Sequence, residues 1–190
     1  MIDYTKRGVI VLGSARSGSH MLCDMLFHAS YCANKKYIGE VTSIPYIESK
    51  FIFCSLVQFS PKNLLAVNVD WVRDYHIIKL RRRNKVSQYI SWCAFRAQTI
   101  SSITKHSPNW EDYKHLMPWE STPQDIENFI NEQHIDYAFP SDETLYYEDV
   151  VLSGMHTNFK KNQYPMAPEK MVTDYALVEK MLGNYSYDGR

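Results

Sequence analysis

The segment Gly8-Val9-Ile10-Val11-Leu12-Gly13 constrains this fold more than any other stretch of the chain. A continuous apolar run between glycines suits a strand buried on both faces, and such strands belong to parallel sheets. Directly behind it, Ser17 to Ser30 carries Met21, Leu22, Met25 and Leu26 at helical spacing, with Ser17 placed as a cap. Strand, glycine-containing turn and helix, in that order, form the opening unit of a nucleotide-binding α/β domain. The expected fold is therefore α/β: a single P-loop-like domain over residues 1–190, with a central, mostly parallel sheet flanked by helices.

Later segments fit that frame. Phe51 to Val57 reads as either a helix or a buried strand, while Leu64 to Val69 and His76 to Leu80 read as strands. Asn84 is placed to cap a long helix through about Ile103, and residues 106–121 read as a loop. Pro123, at a first helical position after Thr122, opens a helix through Asn131. Thr144 to Tyr147 is a further strand, and Pro168 to Leu182 a terminal helix stopped by Gly183.

Composition excludes several classes. Lys+Arg 21 against Asp+Glu 21 gives no net charge, unlike a dedicated nucleic-acid coat. Any anion must be held by a local cluster. No apolar run approaches the roughly 20 residues of a membrane span, and Met1 to Arg7 does not read as a signal peptide. Cys23, Cys32, Cys54 and Cys93 form no CxxC pair and no zinc-like spacing with the histidines. Reduced thiols in a cytoplasmic protein without a metal are the expectation.

Gly13-Ser14-Ala15-Arg16-Ser17-Gly18-Ser19-His20 is the segment richest in chemistry. Two glycines five apart, after a strand and before a helix, have the Walker-loop frame. Backbone N–H groups of such a loop, with a helix N-terminus behind them, hold a phosphate. A Walker loop continues with Lys and then Ser/Thr after the second glycine, yet here those positions are Ser19 and His20. The cation sits inside the loop instead, at Arg16. This disfavours Mg-triphosphate chemistry and suggests a metal-free site for one phosphate. The plain alternative is a tight turn, but a turn needs no arginine.

Lys79, Arg81, Arg82, Arg83 and Lys85 put five cations in seven residues. A solvated run is the plain reading. Their place at the end of a buried strand, where open α/β sheets bind ligands, argues for a second anion site. Ser91 follows Arg83 by eight residues, and one arginine with one helix hydroxyl can hold a phosphate. Asp70 and Asp74 read as partners for the arginines.

Taken together, these segments resemble a sulfotransferase. Gly13 to Ser19 is similar to the loop that holds the 5′-phosphosulfate of 3′-phosphoadenosine 5′-phosphosulfate (PAPS). Arg83-Asn84-Lys85-Val86-Ser87-Gln88-Tyr89-Ile90-Ser91 resembles the family's 3′-phosphate motif, and Leu145-Tyr146-Tyr147-Glu148-Asp149-Val150 its Tyr-Glu-Asp-Leu segment, which opens a late helix. The wording is nearest to bacterial carbohydrate and glycolipid enzymes. The resemblance implies PAPS as sulfuryl donor and a carbohydrate or other small hydroxyl acceptor. Cofactor contacts would come from Ser14, Ala15, Arg16, Ser17, Gly18, Ser19, His20, Arg83 and Ser91, with Arg16 stabilising the leaving phosphate.

His20 stands where the family carries a Thr, and the glycine-rich C-terminal loop of the animal enzymes is absent. The resemblance points to Glu40, in Gly39-Glu40, as general base; it reads as an exposed loop glutamate, with Glu48 and His20 as rivals. Two other classes remain open: a Mg-dependent, kinase-like P-loop enzyme, and a non-catalytic nucleotide or RNA binder using Arg81 to Arg83.

Overall fold

The computed structural model describes residue 6 and residues 8–14, 16–28, 36–41, 52–57, 74–100, 115–134, 140–155 and 166–185; in 36–41 and 52–57 the backbone course is described. Five strands and five α-helices are placed in this order: β1 (Val9–Gly13), α1 (Ser19–His28), β2 (Lys36–Val41), β3 (Ile52–Val57), β4 (His76–Arg81), α2 (Lys85–Ile100), α3 (Pro123–His134), β5 (Glu143–Tyr146), α4 (Tyr147–Leu152) and α5 (Tyr175–Leu182). The fold is α/β. The chain divides into two compact units, 1–83 with 132–159 and 84–131 with 160–190.

The first unit holds the sheet, in the order β2-β3-β1-β4-β5, with every neighbouring pair parallel. β1 lies in the middle, and all five of its residues are buried, as an apolar run without alternation requires. Val9, Val11, Ile78 and Leu80 on one face pack with Leu22, Cys23, Met25 and Leu26 of α1 and Val150 of α4. Each such Leu or Met contributes about 1.5–3 kcal/mol when fully buried, so Leu22, wholly inaccessible, is the residue whose truncation to Ala would loosen α1 most. Ile10, Leu12, Ile77 and Lys79, of the opposite parity, are buried as well. At the foot of the sheet the Ile77 N–H donates to Asp142 Oδ2 at 2.7 Å, and the Asp142 N–H returns a bond to the Ile77 carbonyl at 2.9 Å. This exchange sets the start of β5.

In the second unit Tyr89 and Trp92 of α2 meet Phe129 of α3 as three mutually contacting rings, with centroids 5.3–5.7 Å apart. The Tyr89 hydroxyl and Ser121 Oγ share a buried hydrogen bond of 2.8 Å. Arg96 of α2 reaches Asp125 of α3 at 2.6 Å while lying over the Trp92 ring. Thr122 closes the start of α3: its Oγ1 accepts from the Asp125 N–H and donates to Asp125 Oδ2.

Several expectations need correction. α1 begins at Ser19, not Ser17, because Gly18 has φ +97° and cannot be helical; its carbonyl takes the first helical bond, from Leu22 N–H. Ser17 is therefore in the turn and not the cap, its N–H bonded to the Ser14 carbonyl at 3.0 Å. Of the segment Phe51 to Val57, Ile52–Val57 is strand β3, and α3 runs one turn past Asn131. Tyr147 starts α4 and does not end β5.

The terminal helix is broken. A 3-10 turn occupies Pro168–Lys170, after which Met171 and Thr173 bond to the Trp119 backbone and Asp174 caps α5 through Leu177 N–H. Gly183 has φ −61°, so a left-handed stop is not used there. The strand expected at Leu64 to Val69 lies outside the described residues.

Candidate anion site at the carboxyl edge of the sheet

In open α/β sheets ligands bind beyond the carboxyl ends of the strands, where the strand order reverses. Here that point is β1: the chain leaves it for β2 and β3 on one side and then reaches β4 and β5 on the other. Residues 13–19 emerge from β1 at this edge. Arg81–Arg83 emerge from β4, and Tyr146–Asp149 from β5. The Arg81↔Tyr146 register puts the last two groups level.

Close packing, not backbone angle, explains Gly13. A Cβ there would lie 2.2 Å from Ser17 Oγ and 3.3 Å from Ser17 Cβ, so the loop folds directly back over the end of β1. Ser14, Ser17 and Ser19 are all buried. Ser14 Oγ donates to Gln133 Oε1 at 2.7 Å, whereas Ser17 Oγ has no hydrogen-bond partner among the described residues. Arg16 is exposed and has φ 63°, an uncommon angle outside glycine. With Gly18 at +97°, the loop has two left-handed residues in three. Backbone of alternating hand can turn successive N–H groups toward one point; here the Ser17 N–H is taken by the Ser14 carbonyl, which leaves the loop's other N–H groups and the start of α1 as the donors on offer. His20 lies in the first turn of α1, half-buried, where helical N–H groups lack intrahelical acceptors.

The five-cation run is not a solvated stripe. Lys79 and Lys85 are buried, the latter donating to Gln88 Oε1 at 2.8 Å; Arg81 and Arg82 are half-buried. Arg83 is exposed and forks onto Asp149, Nη1 to Oδ1 at 2.6 Å and Nη2 to Oδ2 at 2.7 Å. Its own N–H donates to Glu148 Oε2 at 3.0 Å, and its guanidinium lies 4.1 Å from the centroid of the Tyr146 ring. The Arg83 fork holds the Asp149 carboxyl below the usual carboxylate range, and the same bond raises the guanidinium. With both side chains more than half exposed, the pair stabilises the fold little.

Asp149 is thus the partner of Arg83; Asp70, expected beside the arginines, lies outside the described residues. Glu148 and Asp149 entered the sequence reading only through a resemblance, and Tyr146 and Tyr147 otherwise only as strand residues. A signal was nonetheless present, since Glu148 and Asp149 open a helix where negative charge is favoured.

Ser91 is buried on α2 and belongs to the second unit. Asn84 caps α2 as expected, its Oδ1 accepting from Ser87 N–H at 2.8 Å. Ala15 lies outside the described residues. Glu40 is not in a loop: it belongs to β2, the edge strand, in register with Ser55 and through it with Val11. That puts its backbone two strands from β1, roughly 9–10 Å.

Among the described residues no group of three or more His, Cys, Asp or Glu is arranged to hold a metal ion, and no helix is long and apolar enough to cross a membrane. Fold and edge together define an α/β protein with a parallel sheet and a glycine loop closing over its central strand. No family model, curated protein or solved structure matches the chain.

Proposed function

We propose that this protein is a sulfotransferase, transferring a sulfuryl group from PAPS to a hydroxyl of a carbohydrate or other small acceptor. One observation carries the reading: a P-loop-like strand–loop–helix whose only loop cation is Arg16, with Ser19 and His20 where triphosphate enzymes place Lys and Ser/Thr. The loop N–H groups and the start of α1 offer donors to a phosphate, and Arg16 projects from a left-handed position at the loop's exposed side.

In sulfuryl transfer the S–O bond to the phosphate breaks as the acceptor oxygen attacks sulfur in line. Negative charge grows on the departing phosphate. Fixed N–H donors and Arg16 then stabilise the transition state more than the ground state. A 3′-phosphate at Arg83 takes the place that Asp149 now holds, exchanging one anion for a more highly charged one. The acceptor proton needs a base. Glu40 in β2 serves an acceptor that spans the distance from the loop, and His20 serves one held at the loop itself.

The test is a thermal-shift comparison of 3′,5′-ADP, 5′-AMP and ATP with Mg²⁺. Stabilisation by 3′,5′-ADP without metal, clearly above that by 5′-AMP, is expected. A shift that requires Mg²⁺ and favours ATP would establish a kinase-like enzyme instead, and RNA binding that survives Arg16→Ala would establish a non-catalytic binder.

A further inference from the structure

The loop is held in shape from outside by a side chain with no part in the proposed chemistry. Tyr147 opens α4 immediately after β5, and the in-register pairing of β5 with β4 brings it beside Arg82. Its ring stands directly beside Gly18. A Cβ on that glycine would stand 2.4 Å from Tyr147 Cδ2 and 2.8 Å from Cε2, so no side chain fits between them. The same ring is covered by Arg82, whose Cζ is 4.7 Å from its centroid, a cation–π distance. Arg82 Nη1 continues to the Arg16 carbonyl at 3.5 Å, the long limit of a hydrogen bond.

The two left-handed residues of the loop, Arg16 and Gly18, are therefore the two that this pair of side chains touches. Behind the ring, Tyr147 packs with Leu145, Met21 and Met155 against the core formed by α1, β1 and β4. Arg83 fastens the start of α4 through Glu148 and Asp149, which fixes where the ring stands.

We propose that Tyr147, bracketed by Arg82, is a positioning residue of the glycine loop. It keeps the loop in its anion-ready conformation before any ligand arrives. The inference rests on the proposed reading only in that the anion is the phosphosulfate end of PAPS. The physical role is preorganisation: a loop already ordered loses less conformational freedom on binding, and its donors need not reorganise as charge develops. The hydroxyl is not what matters. The body of the ring beside Gly18 and the cation over its face are.

Hydrogen exchange followed by mass spectrometry on the full chain tests the clamp without any ligand. Amides of residues 14–22 are expected to exchange about tenfold faster in Tyr147→Ala and in Arg82→Gln, with peptides from β4 and α2 unchanged, and at the original rate in Tyr147→Phe. Arg82→Gln keeps the ring in the core and decides the matter should Tyr147→Ala fail to fold. Unchanged loop exchange in Arg82→Gln, or a rise spread evenly over the protein, overturns the clamp. Calorimetry with 3′,5′-ADP forms the second arm: about tenfold weaker binding by Tyr147→Ala with Tyr147→Phe unaffected supports it. Absence of binding by the unaltered protein overturns the sulfotransferase reading, and the exchange arm then judges the clamp alone.

Discussion

Ser17 presents an experiment in which two opposed effects can be separated by size. Its Oγ is fully buried, has no hydrogen-bond partner among the described residues and presses on the place a Cβ of Gly13 would occupy, 2.2 Å away. An unsatisfied buried hydroxyl costs about 1–3 kcal/mol. Ser17→Ala should therefore stabilise the ligand-free protein by about 1–2 kcal/mol, raising Tm by about 2–8 °C for a chain of this size. Gly13→Ala brings a gain of about 0.5–1 kcal/mol from replacing glycine in a strand. Against that stands overpacking of about 1–3 kcal/mol. The collision wins, leaving a net loss of about 0.5–2 kcal/mol.

In the double variant the colliding oxygen is gone, although Ser17 Cβ at 3.3 Å and Ser19 Cβ at 3.4 Å keep the site tight. The Gly13→Ala loss should then shrink to about zero, a coupling of about 0.5–2 kcal/mol. Urea unfolding of the four proteins, with m held equal, measures this cycle. Destabilisation by Ser17→Ala, or effects that add within about 0.3 kcal/mol, would refute the packing argument.

Three further outcomes are expected. Burial pushes the Cys93 thiol up to about 12, so site-resolved mass spectrometry should find it unmodified by iodoacetamide at pH 8 until the protein unfolds; rapid native labelling would contradict its placement. Asp149, held below its usual range by Arg83, contributes stability above the ordinary carboxylate pKa that is lost as pH falls through the lowered value; a carboxyl ¹³C titration should move upward in Arg83→Gln, and an unmoved curve would mean the fork is not formed in solution. For the proposed reaction, Arg16→Ala should reduce turnover far more than it weakens 3′,5′-ADP binding, Arg83→Ala should chiefly weaken binding, and Glu40→Gln should bind normally yet lose roughly 10²-fold in turnover; equal affinity losses in both arginine variants with turnover retained at saturation would remove the division of roles.

The parts of the fold legible in the sequence are those set by local pattern. The run Val9 to Leu12 had to be a strand buried on both faces, and Asn84 ahead of an amphipathic stretch had to be a cap. Boundaries escaped where a distant contact decides them. The start of α1 depends on Gly18 at φ +97° under a ring 129 positions later in the chain. The break before α5 depends on Trp119 claiming the backbone of Met171 and Thr173. At the site, residue types were readable and pairings were not. Arg83 could be picked out as a cation at a strand end, but nothing local shows that Asp149 occupies its fork or that Lys79 and Lys85 are inside.

The strand order also governs how the protein is made. β1 pairs with β3 and β4, and not with β2, the strand that follows it. As the chain leaves the ribosome, Val9–Gly13 has no complete neighbour until Val57 has been added. At about 5–20 residues per second that interval is about 2–9 s. The most apolar strand of the protein is therefore the one that waits longest relative to its own synthesis. Its short length, and the flanking Lys6, Arg7 and Arg16, are the kinds of gatekeeper that keep such a segment from pairing with another nascent copy.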